Sequence, residues 1–169
     1  MFRLPGIFRT VALYSVPKVH FRDLVATPDL DAAYTDGVLT INADIRNLDK
    51  KAVKNYKVYY SLYANKLYSD ENTLVDAVLS PVIEKIEPNG TGRIQTVFHV
   101  KAPNKWSAEF PYRYTLVAEL KDKKNKTIET VSTIVGFRKV EIKDTPASAD
   151  EFGLAGRYYY INGKTVKLK

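Results

Sequence analysis

Few residues of this sequence have the type to carry reaction chemistry, and their spacing suits them poorly for it. Asp70-Glu71 and Asp150-Glu151 are adjacent carboxylates. A general acid and base must converge on one bond, whereas neighbouring side chains on an extended loop point apart. Both pairs therefore read as solvated loop acids. His20 and His99 are the two imidazoles, and each falls at an outward, polar position of a strand pattern, where a surface histidine is expected. There is no cysteine, which excludes disulfides and thiolate metal sites and leaves the compartment open. No glycine-rich phosphate loop, nucleophile elbow or metal-ligand spacing is present. The expectation is thus no catalytic, cofactor-binding or metal residue in the chain, and no cofactor. Two aromatic features stay open. Trp106 could offer its face to a pyranose, or plug the end of a β-sandwich. Tyr59 and Tyr63 project together from one strand, as a carbohydrate-binding face would need.

The elements that hold these residues are strands. Leu39, Ile41, Ala43 and Ile45 alternate with Thr40, Asn42 and Asp44, the period of a half-buried strand over Val38 to Arg46. Tyr56, Val58, Tyr60 and Leu62 share a face between Asn55 and Ala64, and Ile94, Thr96, Phe98 and Val100 share another between Arg93 and Lys101. A strand from Val16 to Thr27 is bounded by Pro17 and Pro28. Val82 to Ile86 makes a further strand, turned into the next by Pro88-Asn89-Gly90. Asn65 to Leu79 suits a short helix or a strand docking from a long loop. Tyr112, Tyr114, Leu116, Ala118 and Leu120 alternate toward a lysine-rich turn at Lys121 to Lys126, and Thr127 to Val135 is rich in β-branched residues. Asn162-Gly163 between Tyr158-Tyr159-Tyr160-Ile161 and Thr165-Val166-Lys167-Leu168 is a two-residue hairpin signal. The fold class is all-β: an immunoglobulin-like antiparallel β-sandwich of about seven strands plus a C-terminal β-hairpin. Tyr112 or Tyr114, at a strand start, is placed to bond back to the backbone as a tyrosine corner does.

At 169 residues, 45% hydrophobic and 27% charged, the chain can bury one good core. No run of about eighteen apolar residues suggests a membrane span, and MFRLPGIFR lacks the apolar stretch of a signal peptide. The net charge of +7 raises nucleic-acid binding. The basic residues are spread along the chain beside acids, as at Lys121, Asp122, Lys123 and Lys124, rather than gathered in a stripe. Neither nucleic acid nor membrane is expected as a partner.

WSAEFPYRYTL (Trp106 to Leu116), followed some twenty residues later by GFRKVEI (Gly136 to Ile142), resembles the end of the immunoglobulin-like domain of glycoside hydrolase family two, and the β-galactosidase branch fits best. MFRLPGIFRTVAL (Met1 to Leu13) resembles the closing strand of the jelly roll that comes first in such enzymes. YYINGKTVKLK (Tyr159 to Lys169) resembles the hairpin that opens the (β/α)8 barrel, with Thr165 where proline is common.

The resemblance implies four segments: 1–15, a remnant of the jelly roll; 16–144, the sandwich; 145–155, a linker; and 156–169, the hairpin. It implies a non-catalytic, domain-positioning fragment of an enzyme that hydrolyses terminal β-galactosides with retention. The acids of such an enzyme lie roughly 5 Å apart, and the family supplies them from barrel strands beyond Lys169. The expected partners are the jelly roll and the barrel, with self-association through tails bearing Ile7, Phe8, Val166 and Leu168. Arg138, at the hand-over to the barrel, is expected to pair bidentately with a carboxylate between domains. The Asn65 to Gly92 region is the part expected to reach a neighbour. A free-standing carbohydrate-binding or adhesion module is the alternative from another class, and β-mannosidase or β-glucuronidase the alternative parent.

Overall fold

The computed structural model describes residues 10–150 and 153–166. Its first sheet holds β1 (Val19–Leu30), β2 (Gly37–Asn47) and β6 (Thr91–Val100), in the order β1-β2-β6. Facing it is a sheet of β3 (Val53–Asn65), β4 (Asn72–Leu79), β7 (Tyr114–Lys121) and β8 (Thr127–Val135), ordered β4-β3-β7-β8, with the short β5 (Ile83–Ile86) paired to the start of β3. Every pairing is antiparallel. A third sheet, β11-β10-β9, is built from β9 (Val140–Thr145), β10 (Gly156–Ile161) and β11 (Lys164–Thr165). None of the described helical segments is long and apolar enough to cross a membrane.

The two large sheets close on the alternating residues. Leu39, Ile41 and Ile45 of β2 are fully buried against Val58, Tyr60 and Leu62 of β3 and Leu116, Ala118 and Leu120 of β7. Phe98 of β6 meets Tyr60 edge-on, with ring centroids 6.5 Å apart. Burial of each large apolar side chain is worth about 1.5–3 kcal/mol, so this layer carries the stability. Inside it the Tyr60 and Thr96 hydroxyls meet no hydrogen-bond partner. Burial pushes the Tyr60 phenol up to about 12, opposed in part by the Thr96 hydroxyl.

Several expectations change in detail. The undecided Asn65 to Leu79 stretch forms β4, paired to β3 with a register shift after Leu62. Leu74, Val75, Val78 and Leu79 would also share one helical face, but backbone pairing to β3 prevails, and as an edge strand the stretch exposes Leu74, Val75 and Leu79. With β4 and β5 counted, eight strands make the two layers. Pro28 does not end its strand: β1 runs on to Leu30. It lies at a sheet edge and pairs with β2 alone, so one side of its backbone needs no N–H. The turn at Asn89 is present, with Gly90 N–H donating to Glu87 O at 2.9 Å. Its flanking strands do not pair with each other, because β5 joins β3 while β6 crosses to β2. Asn47, fully buried, secures this crossing by donating to the carbonyls of Lys51, Ile86 and Glu87. The strand expected over Met1 to Ser15 falls mostly outside the described residues, as do Ile7, Phe8 and Leu168; Thr10 to Ser15 carries no strand.

Candidate interdomain junction

The third sheet is fastened to the end of the sandwich at two points. The first grows from the corner between β6 and β7. Trp106 bridges to Pro111, Phe110 N–H donates to Ser107 Oγ, and Tyr112 N–H turns back to Phe110 O. Trp106 N–H donates to Phe137 O at 2.9 Å, which ties the corner to the strand exit. Phe137 is fully buried edge-on to Tyr114, at 5.1 Å between centroids. It lies so close to Gly37 that a Cβ there would fall 2.7 Å from its ring. The Tyr114 hydroxyl accepts from Asn104 N–H at 2.8 Å, the back-bond of a tyrosine corner.

Onto this corner comes the β10–β11 turn. Asn162 and Gly163 have φ of 52° and 77°, the left-handed pair of a tight hairpin, which asparagine and glycine tolerate best. Asn162 Nδ2 donates to Trp106 O at 3.0 Å while its Oδ1 accepts from Lys139 N–H at 3.0 Å. Lys139 Nζ reaches Leu30 O at 2.9 Å and lies 3.7 Å from Asp29. One turn residue thus joins hairpin, corner and strand exit.

The second point is Tyr34, in the turn between β1 and β2. Asp31 shapes that turn by accepting Thr35 N–H at 2.7 Å, and Tyr34 sits at φ 56°. Its hydroxyl donates to Glu141 at 2.6 Å and accepts from Lys143 Nζ at 2.6 Å, and the two charges are 3.0 Å apart. Lys143 Nζ also lies 5.3 Å and 5.5 Å from the Tyr34 and Tyr160 ring centroids. Beneath, the Tyr160 and Thr145 hydroxyls share a hydrogen bond of 2.5 Å. The Tyr34 hydrogen bond, then that of Lys143, holds the Glu141 carboxyl below its ordinary value. The same hydroxyl, then Glu141, raises the Lys143 ammonium.

No site for acid–base chemistry forms from the residues singled out in the sequence. Glu71 pairs with Lys66 at 2.7 Å on an exposed loop, and Asp150 caps Leu154 N–H; Glu151 lies outside the described residues. His20 pairs opposite Arg46 and His99 opposite Val38 on β2. Eight positions along a strand separate them by about 26 Å. Trp106 keeps no free face for a sugar on the side where the Arg138 guanidinium lies, 4.5 Å from the ring centre. Among the described residues Arg138 meets no carboxylate; its planar face lies over the indole, which leaves the N–H edges of the guanidinium available to a carboxylate from outside these residues. Tyr59 and Tyr63 are half-buried, Tyr59 beside Lys121 at 5.8 Å. Tyr34, Glu141 and Lys143 escaped the sequence reading, which has Asn162 as a turn residue and not as a fastener. The available signals were an aromatic in a polar turn and opposite charges two apart on one strand face.

The model of the glycosyl hydrolases family 2 matches residues 19–138, which is the sandwich and the start of its exit. The chain belongs to family 2. A β-galactosidase of Priestia megaterium is 38% identical over 167 residues, covering 99% of this chain and 14% of that protein. One from Vibrio vulnificus is 37% identical over 147 residues, covering 85% of this chain and 13% of that protein. The family 2 chain thus spans about one-seventh of these relatives' length. Among solved structures, Bacteroides uniformis β-glucuronidase 2 superposes with a TM-score of 0.71 at 17% identity, over 91% of this chain and 17% of its own. A family 2 member from Bacteroides cellulosilyticus gives 0.69 at 18% identity, over 91% of this chain and 19% of its own. These two share the fold.

Proposed function

We propose that this chain is the non-catalytic, positioning part of a family 2 β-galactosidase that works with retention. Residues 16–144 serve as a stiff spacer between a jelly roll, to which 1–15 belong, and a (β/α)8 barrel, which 156–169 open after the 145–155 linker. The observation that carries the reading is the double fastening of the third sheet at Asn162 and Tyr34. A sheet pinned at its hairpin turn and along β9 to a sealed sandwich transmits orientation to whatever follows it. Orientation matters because a 1 Å misplacement of substrate-holding groups can lower a rate on the order of a hundredfold. The β-galactosidase relatives, matched along nearly the whole chain, favour the galactoside over the glucuronide as parent substrate.

Incubating the purified chain with 4-nitrophenyl β-galactoside tests the reading. Release of nitrophenol should not exceed the blank, and turnover that scales with protein concentration would refute the non-catalytic role.

A further inference from the structure

Beside the junction the edges of the two large sheets border a groove. β1 is the outer strand of one sheet and β8 of the other. Phe21 N–H of β1 donates to Glu129 of β8 at 2.7 Å, and near the far end of β1 the segment that leaves β8 reaches back, Lys139 Nζ donating to Leu30 O at 2.9 Å. The groove is lined by Pro28, Trp106, Arg113, Ile134, Arg138 and Val140. Its aliphatic lining is open to solvent: Ile134 is 57% and Val140 49% exposed. The acid in the groove, Asp29, is already beside Lys139. Neither Arg113 nor Arg138 meets a carboxylate among the described residues.

We propose that this groove receives an extended protein segment with alternating carboxylate and apolar side chains, belonging to the longer enzyme outside these residues. The inference rests on the positioning role above and gives it a contact surface. Two guanidiniums that meet no carboxylate among the described residues, beside exposed aliphatic side chains, complement an extended segment that alternates acids with aliphatics. A sugar finds the adjacent indole face taken by Arg138. A phosphate backbone would leave the aliphatic lining unmatched. β1 and β8 are also sheet edges, to which an extended segment can add.

The probe is acetyl-Ile-Glu-Val-Glu-amide, with its glutamine twin as control, titrated into the chain. Trp106 is the one tryptophan, so its emission reports the groove, and amide shifts locate the contact. The expected result is saturable binding with shifts centred on Gly136 and Arg138, at least about tenfold tighter for glutamate than glutamine. An Arg113→Met, Arg138→Met double variant, altered at exposed positions, should lose that preference. Equal binding of the two peptides, shifts elsewhere, or no binding would overturn the proposal. Turnover of the galactoside, by contrast, would overturn the positioning role and leave this titration to be judged by itself.

Discussion

The walls of the sandwich meet through Leu39, Ile41, Ile45, Val58, Leu62 and Leu116, all without solvent exposure. The third sheet meets the sandwich through Tyr34, Glu141, Lys143 and Asn162, all half-buried and all hydrogen-bonded. The first contact scales with area and is indifferent to small rotations. The second is made of directional bonds, individually modest, which fail when the angle is wrong. One chain therefore separates two tasks: stability in the apolar layer, orientation in the polar fastening. The comparison predicts that the fastening can be broken without the apolar layer, but not the reverse.

The largest effect should come from the apolar side. Phe98→Ala removes a ring that is 2% exposed and packed on Tyr60, and such truncations cost about 3–5 kcal/mol. Urea unfolding followed by circular dichroism should show the unfolding free energy fall by that amount and the midpoint with it, and sandwich and third sheet should melt together. A variant as stable as the parent chain would mean that the apolar layer is not what carries the fold.

Asn162→Gly comes next and attacks the fastening alone. Glycine accepts the 52° φ, so what is lost is the pair of side-chain bonds to Trp106 O and from Lys139 N–H. Hydrogen exchange should quicken about tenfold to a hundredfold at Lys139 and along β10, the equivalent of one or two hydrogen bonds. The urea midpoint of the sandwich should stay where it was. A shift in that midpoint as large as that of Phe98→Ala would merge the two regions into one cooperative unit.

The contrast also explains what the sequence made legible. The apolar layer writes itself as alternation: Leu39, Ile41, Ala43 and Ile45 are buried as the period demands, since burial depends on residue type and face. The Asn162-Gly163 turn is equally readable, because φ above zero restricts the residues allowed. The fastening is not. Tyr34 and Glu141 are 107 positions apart, and nothing local marks a tyrosine as the partner of a distant carboxylate. The same holds for the contact of Arg138 with the Trp106 ring, which no local pattern marks. The crossing of β5 and β6 between sheets was hidden for a related reason: a turn signal reports that the chain reverses, not which strand receives it.

The smallest effect is that of pH on the Tyr34 contact, and its sign follows from the two shifted groups. Glu141 titrates below its ordinary value in the folded chain. Its contribution is present above the unfolded carboxyl's pKa and is lost as pH falls through the folded one. Lys143 titrates above its ordinary value. Its contribution is complete below the unfolded ammonium's pKa and is lost as pH rises through the folded one. The Tyr34 fastening should therefore hold on a plateau from roughly pH 5 to 10 and loosen by a few-fold in exchange rate beyond either end, the modest scale of exposed polar contacts. Tyr34→Phe keeps the ring beside Lys143 and Gly163 and removes the hydroxyl that both charges use. After correction for the intrinsic pH dependence of exchange, β9 amides of the wild-type chain should trace the plateau, and those of the variant should lie flat at the loosened level. The sandwich amides of β2 and β7, held by groups that do not titrate, should be the same in both. A plateau that survives Tyr34→Phe would assign the pH response to the direct Lys143–Glu141 pair at 3.0 Å and leave the tyrosine a steric peg.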